Sequence, residues 1–96
     1  MSRPNVVFVL TDDQGFADLG CSGNPWIRTP HLDRFSGEGV RFGDFHVAPL
    51  CAPTRGALMS GHRPVRNGAF ATCWGRSLLK ADETTMADAF KASGCS

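Results

Sequence analysis

Apolar residues along this chain fall into separate blocks, and each block predicts an element. Val6-Val7-Phe8-Val9-Leu10 is continuous and β-rich, which predicts a strand buried on both faces, the central type in an α/β sheet. Thr11-Asp12-Asp13-Gln14-Gly15 closes it with polar residues and a turn-permitting glycine. Residues 16–27, rich in Gly, Asn and Pro, predict a loop in which Asp18 fixes the turn and Trp26 anchors by packing. Thr29-Pro30 predicts a short helix, with Thr29 as N-cap and Pro30 at the first helical position. Leu32 and Phe35 would face the core, and Gly37 or Gly39 would end that helix. Val40, Phe42 and Phe45, with polar residues between, suggest a second strand, and His46 near its end fits a structural role. Residues 63–74 predict a loop, with Pro64, Asn67 and Gly68 as turn signals. A last helix is expected over 86–93, capped by Asp82, Thr84 or Thr85 and stopped by Gly94, with Met86, Ala89 and Phe90 on one face.

Between the second strand and the loop lies Cys51-Ala52-Pro53-Thr54-Arg55, followed by Gly56-Ala57-Leu58-Met59-Ser60-Gly61-His62-Arg63. Pro53 suits a first helical position, since its fixed φ is helical and its missing N–H would be an orphan there. Ala52, preceding a proline, is disfavoured in the α region. A helix from Pro53 to a stop at Gly61 follows, with Cys51 just outside its N-terminus. Free N–H groups and the helix dipole favour anions at that point. Arg55 would lean back toward the N-terminus over Cys51. A thiol, a helix start and an arginine fork in one place suit a tetrahedral oxyanion such as sulfate or phosphate.

Asp12-Asp13 follows the first predicted strand, and open α/β sheets place ligands at the carboxyl ends of strands. On a loop both carboxylates can converge on one hard divalent ion, calcium or magnesium. A solvated turn with an aspartate cap explains the same pair.

The whole has 96 residues and a formal net charge of +1, so no affinity for nucleic acid or anionic membrane is implied. The four cysteines, at 21, 51, 73 and 95, lack C-x-x-C spacing, which argues against a zinc site. Glycines at 37, 39 and 43 miss the dinucleotide-binding spacing. The first apolar run is too short for a signal peptide, so the product as written would be cytoplasmic. A doubly buried strand needs neighbours on both edges, more than two strands and three helices supply, which predicts a piece of a larger domain.

Taken together, Asp12-Asp13, Thr29-Pro30-His31-Leu32-Asp33, Gly39-Val40-Arg41-Phe42 and Cys51-Ala52-Pro53-Thr54-Arg55 resemble the N-terminal segment of type I sulfatases of the alkaline phosphatase superfamily. The resemblance runs from Arg3-Pro4-Asn5 to Gly94, so residues 1–96 would form one N-terminal fragment of a sulfatase catalytic domain, α/β with a mainly parallel sheet. It implies that Cys51 is oxidised to formylglycine by a formylglycine-generating enzyme. The aldehyde hydrate then attacks sulfur and later releases sulfate, splitting one hard hydrolysis into two steps. It implies Asp12, Asp13 and the modified Cys51 as ligands of one calcium ion, and Arg55 as the group that steadies the hydrate. The substrate would be a small-molecule or glycan sulfate ester. Full-length members of the family are often periplasmic, secreted or lysosomal. His62 stands where the family usually has arginine, and Ser60 where it has threonine. The family's lysine and histidine pairs and its further Asp and Asn ligands lie beyond residue 96. Rival expectations are a phosphonate monoester or phosphodiester hydrolase of the same superfamily and a non-catalytic remnant.

Overall fold

The computed structural model describes residues 4–72 and 77–95. Arg3 and Cys73, named above, and the end of the loop expected over 63–74 lie outside the described residues. The chain divides into two units, Met1–Phe45 and His46–Ser96.

In the first unit, residues 4–10 are extended but form no strand, and no β-ladder occurs among the described residues. The exposures of Val6, Val7, Phe8, Val9 and Leu10 run from 42% to 86%. The apolar pattern is that of a central strand, yet a strand exists only through hydrogen bonds to neighbours. The expected strand through Val40 and Phe42 is likewise unpaired coil. The regular elements among the described residues are helices alone, so these residues do not by themselves show an α/β sheet.

Helix α1, Pro30–Glu38, begins and ends where the sequence indicates, with Pro30 in its first turn and Gly39 as C-cap. Thr29 precedes it but makes no side-chain cap bond. Its hydroxyl is used elsewhere: Oγ1 accepts from the Gly20 amide at 2.8 Å and donates to Asp33 Oδ1 at 2.8 Å. Asp33 Oδ1 also accepts from the Cys21 amide at 2.7 Å. Arg41 adds Nη1 to the Cys21 carbonyl at 2.8 Å and Nη2 to Ser22 Oγ at 3.2 Å. Together these tie the 3-10 turn Gly20–Ser22, read above as plain loop, to α1. A Cβ at Gly20 would lie 2.5 Å from an Asp33 carboxylate oxygen, so a side chain there would have to displace that carboxylate. Asp18 does fix its turn, accepting from the Gly15 amide at 2.6 Å. Trp26, Leu32 and Phe35 were expected to pack; they are 87%, 49% and 71% exposed. No described residue of this unit is buried, so they have nothing to pack against within it.

The second unit holds α2 (Cys51–Ser60), α3 (Pro64–Asn67) and α4 (Met86–Ala92). α2 ends at Gly61, as predicted, with φ +68. One turn of helix, α3, occupies part of the expected loop, because Pro64 fits a helix start and Gly68 at φ +89 stops it. α4 carries a full capping box: Thr85 Oγ1 accepts from the Asp88 amide, and Asp88 Oδ2 accepts from the Thr85 amide at 2.9 Å.

The interior of this unit is polar. Asn67 is fully buried, and Ala69 is the only buried apolar side chain among the described residues apart from Pro53. Asn67 Nδ2 donates to Ser60 Oγ and the His62 carbonyl, both at 3.1 Å, and its Oδ1 accepts from the Ala69 amide at 2.9 Å. Gly56 lets α2 approach this point: a Cβ there would sit 2.8 Å from Ala69 Cβ. Ser77 closes the loop behind it, with Oγ accepting from the Phe70 and Ala71 amides and donating to the Gly68 carbonyl.

Candidate functional site

Cys51 sits at the first position of α2, two residues earlier than the sequence suggested. The first helical hydrogen bond runs from the Thr54 amide to the Leu50 carbonyl at 3.3 Å. Pro53 therefore falls in the first turn, where its absent N–H loses no helical bond. That tolerance overrides the extended preference of Ala52 and moves the boundary upstream. Leu50, extended at φ −129 and ψ 155, is the N-cap and gives no side-chain cap. Thr54 braces the entry instead, its Oγ1 donating toward the Ala48 carbonyl at 3.0 Å and the Leu50 carbonyl at 2.9 Å.

The shift puts Cys51 and Arg55 in the same helix, four residues apart on one face, the spacing at which helical neighbours can meet. Both are exposed, so Cys51 is no buried structural thiol. The amides of Cys51 and Ala52 belong to the first turn and have no intrahelical acceptor. This surface can receive a tetrahedral anion, with a reactive atom at its centre.

Asp12 and Asp13 belong to the other unit, on the loop that follows the extended segment. Asp13 has φ +49, the left-handed region that a non-glycine residue enters at a cost. That conformation breaks the alternation of an extended chain, which is what two adjacent carboxylates need in order to serve one cation. The donor chemistry fits a hard divalent ion, but two carboxylates are fewer than the six to eight oxygens calcium takes. No group of three or more His, Cys, Asp or Glu side chains gathers at metal distance among the described residues. Among the described residues no helix is long and apolar enough to cross a membrane.

Three residues near α2 carried no clear signal in the sequence. Asn67 read as a turn residue and His62 as a departure from a motif, while Glu83 was not singled out. They meet at the end of α2, where His62 Nδ1 lies 2.6 Å from Glu83 Oε2 and Asn67 holds the His62 carbonyl. Spacings of 5 and 21 residues follow neither helical nor strand periodicity, so no pattern could have paired them.

Cys51 and Arg55 thus lie in the first turns of one helix, and the two adjacent carboxylates lie on a loop of the other unit. Residues 4–96 match the family model described as Sulfatase, and the chain belongs to the sulfatase family. It is 42% identical to human arylsulfatase A over 95 residues, covering 95% of this chain and 19% of that protein. It is 50% identical to mouse N-acetylgalactosamine-6-sulfatase over 70 residues, 72% of this chain and 14% of that protein. Human steryl-sulfatase is 42% identical over 106 residues, 99% of this chain and 18% of that protein. The chain thus spans less than a fifth of the length of these relatives. No solved structure matches it.

Proposed function

We propose that residues 1–96 are the N-terminal part of an α/β sulfatase catalytic domain that hydrolyses sulfate esters at Cys51. The observation that carries this is the placement of Cys51 and Arg55 one turn apart at the exposed start of α2. In this assignment Cys51 is converted to formylglycine by a formylglycine-generating enzyme. The hydrated aldehyde supplies one hydroxyl as nucleophile toward sulfur and a second that releases sulfate.

This chain's own residues orient and neutralise. Arg55, one turn along from residue 51, would supply guanidinium N–H donors to sulfate oxygens or to the residue at 51. The first-turn amides and the positive end of the helix dipole add stabilisation where negative charge develops. Thr54 holds the approach 48–50 against the helix, so the residue at 51 keeps a fixed bearing. Asp12 and Asp13 are the residues that would hold a calcium ion, whose chemistry is to polarise a sulfate oxygen.

The longer protein that contains this segment is expected to hydrolyse 4-nitrophenyl sulfate, and Cys51→Ala to abolish turnover. Faster hydrolysis of a phenylphosphonate ester than of the sulfate would instead assign the phosphonate or phosphodiester activity. The 96-residue chain alone is expected to be inactive, because the resemblance places two further metal ligands and the acid–base groups beyond residue 96. Cys51-dependent sulfatase turnover by the chain alone would contradict that expectation.

A further inference from the structure

Helix α2 cannot hold itself together. It has ten residues, below the ~12–15 that an isolated helix needs in water. Gly56 sits at its middle and costs about 1 kcal/mol against alanine, and no side chain caps its start. Cys51 and Arg55 share one helical face only while this helix exists, so whatever holds α2 also holds that face.

The grip is at the other end. Ser60 Oγ donates to the Gly56 carbonyl at 2.7 Å and accepts from the His62 amide at 3.2 Å and from Asn67 Nδ2 at 3.1 Å. His62 then reaches across to Glu83, whose side chain is only 9% exposed. Glu83 stands two residues before Thr85, the cap of α4. A carboxylate can only accept, so Nδ1 of His62 carries the hydrogen in the 2.6 Å contact. One hydrogen bond therefore joins the end of α2 to the start of α4, on top of a fully buried asparagine.

We propose that the His62–Glu83 pair is a clamp that keeps α2 helical, making His62 a positioning residue for Cys51 and Arg55. The proposal rests on the assignment of the Cys51–Arg55 face as an oxyanion site, and the test separates the two. Cys51 alkylation in the intact chain is followed by mass spectrometry of its peptide, with anionic iodoacetate and neutral iodoacetamide. The ratio of the two rates reports positive charge held at Cys51, whereas simple loosening raises both rates together. A synthetic peptide spanning residues 50–61 supplies the unfolded reference. One guanidinium at about 4 Å in water is expected to raise the ratio about fivefold over that peptide.

The expected result is a raised ratio in the native sequence, falling to the peptide value in both His62→Ala and Glu83→Ala. His62→Asn should retain most of the ratio, since its amide places a donor near the position of Nδ1. A raised ratio that His62→Ala leaves unchanged would overturn the clamp, as would His62→Asn falling as far as His62→Ala. A native ratio equal to the peptide's would sink the oxyanion assignment instead. Amide exchange over residues 54–60 then decides the clamp alone: exchange accelerated about tenfold or more by His62→Ala supports it, and unchanged exchange refutes it.

Discussion

Asn67 holds more of the second unit together than any apolar side chain does. It is fully buried and uses its amide on Ser60, His62 and Ala69, while its own carbonyl accepts from the Lys80 amide at 2.9 Å. Replacing it by alanine strands several buried groups, each costing about 1–3 kcal/mol when left unsatisfied. Asn67→Ala is therefore expected to speed exchange of the Ala69 amide by about tenfold or more, read by NMR; unchanged protection would contradict this role. Gly56→Ala should act on the same spot from the other side, because its methyl meets Ala69 Cβ at 2.8 Å. Residue chemistry was legible where it is local. Gly61 as a stop, Asp18 as a turn former and Pro30 at a helix start all follow from a few neighbouring positions. Asn67 was not legible, since an Asn-Gly pair signals a turn whether or not the asparagine is then buried.

At the scale of elements, the helices fared better than the strands, for a physical reason. A helix satisfies its backbone internally, so α1, α2 and α4 could be read from caps, periodicity and stops. A strand needs another strand, and none of the described residues provides one for residues 6–10. The start of α2 slipped by two residues because proline is tolerated throughout the first turn, not only at its first position. α4 gives an element-scale prediction. The Thr85 hydroxyl and then its amide, both bonded to Asp88, hold that carboxyl below its ordinary value of 3.8. A depressed carboxyl stabilises the folded helix above its unfolded value and loses that contribution as pH falls through the lower, folded one. α4 should thus keep its helical Cα shifts at neutral pH and lose them in the acid range below about 4, whereas Asp88→Asn should flatten that acid transition. Asp33 is held low in the same sense, first by the Thr29 hydroxyl, so the tie between α1 and the 3-10 turn should loosen over the same acid range. An acid-insensitive α4 in the native sequence would contradict the capping box.

Considered whole, the described residues bury very little apolar side chain. The first unit has no buried residue among those described, and large apolar side chains stand open from Val6 to Phe90. Such a chain has little apolar burial to set against the entropy of folding, so marginal stability, a broad melt and binding of hydrophobic dyes are expected. A sharp cooperative transition in the monomer would count against this. The continuous apolar run at 6–10 carried that message in the sequence, because it called for neighbours that few other segments could supply. The separation of Asp12-Asp13 and Cys51 into two units was not readable, since motif spacing fixes residue order and not distance. The central claim is that the exposed thiol at the start of α2 is the precursor of a sulfatase nucleophile. It is tested most directly by producing the chain together with a formylglycine-generating enzyme and measuring the mass of the Cys51 peptide. Conversion of Cys51 to the aldehyde, with Cys21 and Cys95 left as thiols, is the predicted result. A Cys51 that stays a free thiol, while a known sulfatase motif peptide is converted beside it, would contradict the claim.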